Sequence, residues 1–330
     1  MKRVLVTGAT GFVGAILCDV LTDRGYTVRA ATRVDGALPA FVGEAVVVGA
    51  IGANTNWTDA LAGVDLIVHA AARAHVLNDA ASNSDAYVET NAHGTRRLAA
   101  CAAESGTRRF VYLSSVKVNG EETTSHPYTP QDLPGPRDSY GISKWLGEKY
   151  LLDVVARTGM EAAIVRAPLV YGPGVRANFL RLLHWIDKGR PLPFGAVRNR
   201  RSLVSVWNLC DLLAQLLTHP LAPGRTWMVS DGDDLSTPEL VQRIAAAMNR
   251  RVRMPRIPVA LMRTCGVLAG RRALINRMCG SLTVDITQTR RELGWSPPLS
   301  VDEALARTVS WYLSERRLRG GVIAGSPRQS

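Results

Sequence analysis

Apolar and polar positions fall along this chain in blocks whose length and period indicate their structure. The first block, Val4-Leu5-Val6, is a continuous apolar run of the kind that fills a parallel strand buried on both faces. It passes into Thr7-Gly8-Ala9-Thr10-Gly11-Phe12-Val13-Gly14, where three glycines turn the chain into a helix beginning near Phe12. The amphipathic run 15–21 continues that helix. Further strands are predicted at 26–31, 46–48, 65–69, 110–113 and 162–166, with helices at 86–103 and 139–158. Strands separated by helical stretches require right-handed crossovers, so the fold class is α/β with a doubly wound parallel sheet.

Beyond Pro168 the pattern loosens. Gly172-Pro173-Gly174 reads as a turn, 178–188 as a helix, 191–199 as a loop and 227–230 as a strand. Thr237-Pro238-Glu239 opens a helix with a cap followed by proline at the first position, and 301–313 forms the last helix. The expected organisation is a nucleotide-binding domain at 1–168, a smaller C-terminal α/β substrate-binding lid at 169–315 that shares some strands with the sheet, and a disordered tail at 316–330.

Composition narrows the class. No apolar run approaches the roughly 18–20 residues of a membrane span, and Met1-Lys2-Arg3 leads straight into a strand, so a cytoplasmic protein is expected. Cys18, Cys101, Cys210, Cys265 and Cys279 are odd in number and lack C-x-x-C spacing, which predicts reduced thiols and no metal site. The net charge of +12 lies largely in late arginines, from Arg250 to Arg319. Without a nucleic-acid module or interleaved aromatics it reads as a solvated basic surface, with no nucleic acid partner.

Candidate chemistry begins at the glycines. Gly8 suits a tight turn, Gly11 lets backbone N–H groups approach a pyrophosphate, and Gly14 allows close packing of helix on strand. The positive end of the helix then faces the anion. Tyr140 and Lys144 are four apart on one predicted helix and share a face. A tyrosine with a reference pKa of about 10 is too weak a base at neutral pH, but a nearby ammonium favours the phenolate. Ser115, at the end of the fifth strand, can reach the same crevice, because the strand ends of an open α/β sheet converge there.

These residues resemble the extended short-chain dehydrogenase/reductase family over nearly all of 2–312. The likeness rests on the glycine turn, His69-Ala70-Ala71-Ala72, Asn91-Ala92-His93-Gly94-Thr95, Leu113-Ser114-Ser115, Tyr140-Gly141-Ile142-Ser143-Lys144 and Tyr171-Gly172-Pro173-Gly174. The resemblance implies a Rossmann-type sheet with Tyr140 as acid/base, Lys144 binding the ribose and tuning the tyrosine, and Ser115 orienting the reacting hydroxyl or ketone. It further implies an NAD(P) site of Gly8, Gly11, Phe12, Val13, Gly14, Thr32, Arg33, Ala70, Ala71 and Asn91, with Tyr140 and Lys144. The second half looks like the nucleotide-sugar branch, in which Ser115, Asn178, Arg201 and Arg277 would meet a UDP-linked sugar. A homodimer is left open.

Leu113–Gly120 and Asn199–Val204 look closer still to a bacterial subgroup that acts on 6-deoxy-N-acetylhexosamine nucleotides for surface polysaccharides. Departures refine the expectation. Val116 and Lys117 stand where dehydratases of this kind carry an Asp-Glu pair, which disfavours water loss. Thr32-Arg33 replaces the acid expected to hold a free ribose 2′-hydroxyl, and an arginine suits a 2′-phosphate. Leu282 stands where glucose-restricted epimerases carry tyrosine, leaving room for an acetamido group. The expected activity is therefore NADP-dependent reduction of a UDP-4-keto-6-deoxy-N-acetylhexosamine. The alternatives are a UDP-sugar 4-epimerase with tightly bound NAD and, in another class, a non-catalytic cofactor-binding scaffold.

Overall fold

The computed structural model describes residues 1–36, 43–74, 84–270 and 272–324. The first half runs β1 (Arg3–Thr7), α1 (Phe12–Asp23), β2 (Thr27–Thr32), β3 (Glu44–Val47), a one-turn α2 (Thr58–Leu61) and β4 (Leu66–His69). It continues with α3 (Ser84–Val88), a π-helical turn at Glu89–His93, α4 (Gly94–Glu104), β5 (Arg109–Ser115), α5 (Ser139–Thr158) and β6 (Glu161–Ala167). The second half runs β7 (Leu169–Tyr171), α6 (Ala177–Asp187), β8 (Leu203–Ser205), α7 (Val206–Leu216), β9 (Arg225–Met228) and α8 (Thr237–Ala247). It ends with α9 (Val259–Leu268), α10 (Arg272–Cys279), α11 (Thr287–Leu293) and α12 (Val301–Ala324).

Seven parallel strands form the main sheet in the order β3-β2-β1-β4-β5-β6-β9. The direction of winding reverses between β1 and β4, which opens a crevice beyond their carboxyl ends. Because successive side chains point to opposite faces, each strand feeds two cores. Val4, Val6, Val68, Val111 and Val165 pack with α1 and α7 on one face, whereas Leu5, Ile67, Phe110, Tyr112 and Ile164 pack with α4 and α5 on the other. A third core lies among α6, α8 and α12. The β7–β8 pair carries the chain from the main sheet into that region.

Most predicted elements lie within a few residues of their observed bounds, and α5 matches at both ends. Its limits have local causes: the Asp138 carboxylate caps the Gly141 N–H at 2.7 Å, and Gly159 adopts φ 73° at the other end. The predicted helix 86–103 is interrupted by the π-helical turn. The last helix, expected to stop at 313, continues to Ala324. The tail expected from 316 is thus helical through 324, and 325–330 lie outside the described residues.

Candidate active site

The glycine turn brings β1 into α1 at the centre of the crevice. Gly8 has φ 70°, and a Cβ there would stand 2.8 Å from the backbone of Ala71, the residue after Ala70 beyond β4. Gly14 is more constrained, since a Cβ would fall 2.0 Å from the Gly8 carbonyl oxygen. Gly11 occupies the N-cap of α1 with no side-chain capping bond, and the first turn of α1 carries no acid. These features fit a dinucleotide: the first N–H groups of α1 are left without a side-chain acceptor, and small residues line their approach. Phe12 and Val13 start the helix; Phe12 packs against both the sheet core and the core of the second half. At the end of β2, Thr32 is buried and Arg33 is exposed, and Arg33 makes no ion pair among the described residues.

Behind the turn lies a buried polar chain. The Thr7 hydroxyl lies 2.6 Å from His69 Nδ1 and accepts from the Ala71 N–H at 3.2 Å. His69 Nε2 lies 3.0 Å from the Thr95 hydroxyl, which donates to the Asn91 carbonyl at 2.7 Å. Burial, assisted by the Lys144 charge, pushes the His69 pKa down to about 3, so the imidazole stays neutral. Asn91 sits in the π-helical turn. Its amide donates to the Arg73 carbonyl and to Ser143 Oγ at 2.9 Å, and Ser143 donates to the Tyr140 carbonyl at 2.8 Å. Asn91 is therefore tied to the first turn of α5, the segment that carries Tyr140.

Ser115 closes β5 and Tyr140 opens α5, and the two side chains are hydrogen-bonded. Desolvation pushes the Tyr140 hydroxyl up to about 12, and the Ser115 bond opposes this. Lys144, one turn on, is almost fully buried with its ammonium 4.1 Å from the centre of the Tyr112 ring. Burial pulls its pKa down to about 7, against the pull of Glu148. Glu148 continues the Tyr140–Lys144 face by one more turn. It accepts from Ser114 Oγ at 2.5 Å and from two nitrogens of Arg166 at 3.0 and 2.6 Å.

Three of these neighbours were not singled out from the sequence: Tyr112, Glu148 and Arg166. The signal for Glu148 was present, since it lies four residues beyond Lys144. Arg166 was also visible as a lone charge in the apolar strand Ala162-Ala163-Ile164-Val165-Arg166-Ala167. Lys117, at the position relevant to dehydration, is committed to ion pairs with Asp138 and Glu121.

The second half brings Arg201 and Arg277 together. Arg201 Nη1 donates to the Arg277 carbonyl at 2.8 Å and to the Gly280 carbonyl at 3.1 Å. Burial and then the Arg277 charge lower the Arg201 pKa, and the Glu122 carboxylate opposes them. Asn178 is the second residue of α6, after Ala177, whose φ of 52° is unusual for a non-glycine residue, and its side chain accepts from Arg181. Leu282 is bonded through its backbone to the strand around Arg201, and its side chain lies in the sheet core.

The NAD dependent epimerase/dehydratase family matches residues 4–230. The chain is 41% identical to a UDP-glucose 4-epimerase of Vibrio cholerae over 94% of its own length and 96% of that protein. Among solved structures it superposes on UDP-glucuronic acid 4-epimerase from Bacillus cereus in complex with NAD with a TM-score of 0.76, 20% identity and coverage of 95% and 99%. For UDP-glucose 4-epimerase with UDP-glucose from Thermotoga maritima the TM-score is 0.75, with 20% identity and coverage of 96% and 100%. The turn of Gly8, Gly11 and Gly14, the Ser115–Tyr140–Lys144 cluster and this likeness to the Vibrio cholerae protein along nearly its whole length agree: the chain belongs to the NAD dependent epimerase/dehydratase family.

Proposed function

We propose that the protein is a nucleotide-sugar 4-epimerase that inverts C4 of a UDP-linked hexose or N-acetylhexosamine, with NAD retained in the crevice. The observation that carries this reading is the 41% identity to a UDP-glucose 4-epimerase across almost both chains. The reduction expected from Arg33 has no comparable support, because it rests on one exposed side chain at the end of β2.

In this reading the diphosphate rests on Arg201 and Arg277, with Asn178 beside it. The sugar's C4 hydroxyl is hydrogen-bonded by Ser115 and faces Tyr140. Tyr140 takes the hydroxyl proton as hydride leaves C4 and returns it when hydride comes back to the opposite face. The cationic form of Lys144 favours the phenolate, and its buried setting makes that charge effective. Gly8, Gly11, Phe12, Val13 and Gly14 hold the pyrophosphate, with Thr32, Arg33, Ala70, Ala71 and Asn91 along the rest of the dinucleotide. When bound, the nicotinamide group supplies the hydride acceptor and donor. The sugar must turn over between the two transfers, so the arginines have to anchor the diphosphate while the ring is released.

The test is to denature the purified protein, identify the nucleotide it releases, and incubate the native protein with UDP-glucose and UDP-N-acetylglucosamine without added cofactor. Released NAD and formation of the C4 epimer are expected. Consumption of NADPH with a 4-keto sugar, without any epimer, would replace this reading with the reductase.

A further inference from the structure

The late basic charge is not spread evenly. Residues 240–284 contain nine arginines and no aspartate, glutamate or lysine, a formal +9 within the chain's net +12. Arg243 is compensated by Asp233 and Asp302, and Arg250 by Asp187. Arg251, Arg253, Arg256 and Arg263 are exposed and make no ion pair among the described residues.

The same segment presents an apolar face outward. α9 buries only Met262 and Gly266, one turn apart, against the body of the protein. The opposite side carries Leu261, Val267 and Leu268, which are 54%, 55% and 84% exposed. Ala260 and Thr264 complete this stripe, and Arg263 lies at its edge. A helix that buries Met262, Gly266 and part of Val259 but turns three large aliphatic side chains to water is unusual for an isolated soluble surface. An apolar stripe with Arg263 at its edge, reached through a segment that carries three more uncompensated arginines, has the chemistry of a stretch that lies in the headgroup region of an anionic bilayer.

We propose that α9 and the arginines around it form a docking surface for an anionic membrane. A second copy of the chain is the poorer occupant, because pairing this face with itself would bring uncompensated arginines together. The surface adjoins the site, since α10 supplies the Arg277 carbonyl bonded to Arg201. The inference does not depend on the proposed epimerase activity, and its test reads binding alone.

The full-length protein would be cosedimented with vesicles of phosphatidylcholine alone or with an equal part of phosphatidylglycerol. Binding is expected only to the anionic vesicles and should fall as salt is raised. Each arginine near such a surface contributes about fivefold in partition, so the Arg253→Gln/Arg256→Gln/Arg263→Gln protein should bind about a hundredfold more weakly. Leu261→Ser/Leu268→Ser should weaken binding at every salt concentration, and unchanged melting curves would show that both variants remain folded. As a measurement on the unaltered sequence, an environment-sensitive fluorophore on the exposed Cys265 should shift to the blue with anionic vesicles. Failure of the protein to bind anionic vesicles at low salt would overturn the proposal. So would undiminished binding by the arginine variant, or dissociation of a dimer by the leucine substitutions with vesicle binding unchanged.

Discussion

Replacing Lys144 by methionine should abolish activity and make the protein more stable at mildly acid pH. The side chain is 1% exposed and its pKa is drawn from 10.5 to about 7, first by burial. A lysine with a lowered folded pKa binds its proton more weakly in the native state than in the unfolded chain. Below pH 7 both states are charged and the native state carries the whole desolvation cost. Between about 7 and 10.5 the native side chain is neutral and the cost shrinks as pH rises. At about 1.4 kcal/mol per tenfold change in proton affinity, the full cost is of order 5 kcal/mol. Methionine removes that cost but also loses the ammonium–ring contact with Tyr112, worth about 1–2 kcal/mol. Its thioether can still pack on the ring. Lys144→Met should therefore gain about 2–4 kcal/mol in urea unfolding of the nucleotide-free protein at pH 6, falling to about 1 kcal/mol near pH 9.5. A variant no more stable than the parent at pH 6, or a difference that does not narrow with rising pH, would refute the reasoning.

Tyr140→Phe should reduce turnover by about 10²–10⁴-fold while the nucleotide released on denaturation stays the same, checked by initial rates and chromatography. Arg201→Ala should raise KM for the UDP-sugar by about 10–100-fold with kcat nearly unchanged, as for a lost charge-assisted bond to phosphate of about 1.5–3 kcal/mol; an unchanged KM would confine Arg201 to its bonds with the Arg277 and Gly280 carbonyls. Gly14→Ala should cost about 3 kcal/mol or more and empty the nucleotide site, because its Cβ would lie 2.0 Å from a backbone oxygen. Gly25→Ala, with a φ of 79° but open space around it, should cost only about 1 kcal/mol, both variants being read by urea unfolding. Arg33→Ala should weaken NADP binding by about tenfold and NAD binding by less than about twofold, read by titration of the nucleotide-free protein.

The parts of the fold legible in the sequence are those whose period is set by burial on a regular element. The β1 run and α5 announce themselves because a two-sided strand admits almost no polar residue and a long helix shows its caps. Asp138 and Gly159 mark the ends of α5 as plainly as the pattern marks its middle. The second half was harder to read because α7 has buried residues almost throughout and β7 and β8 are three residues each, so neither a stripe nor an alternation develops. The candidate site divides the same way. Gly8, Ser115, Tyr140 and Lys144 sit at element boundaries or at helical spacing, where one-dimensional order fixes three-dimensional position. The buried network does not: the spacing of Glu148 and the lone charge of Arg166 in an apolar strand mark each residue, but their partnership emerges only when β6 is paired with β5 and Arg166 is placed beside Ser114. The pairing then explains how three polar residues share the side of the sheet that carries Phe110, Tyr112 and Ile164. The carboxylate accepts from the hydroxyl and from two of the three guanidinium nitrogens, and the third donates to the Asn119 side chain at 3.2 Å. This network holds the helix face that carries Lys144 against the strand that carries Ser115. A buried cation that costs stability thus stays registered with the hydroxyl groups it serves, because its neighbour one turn on is bound bidentately to the sheet.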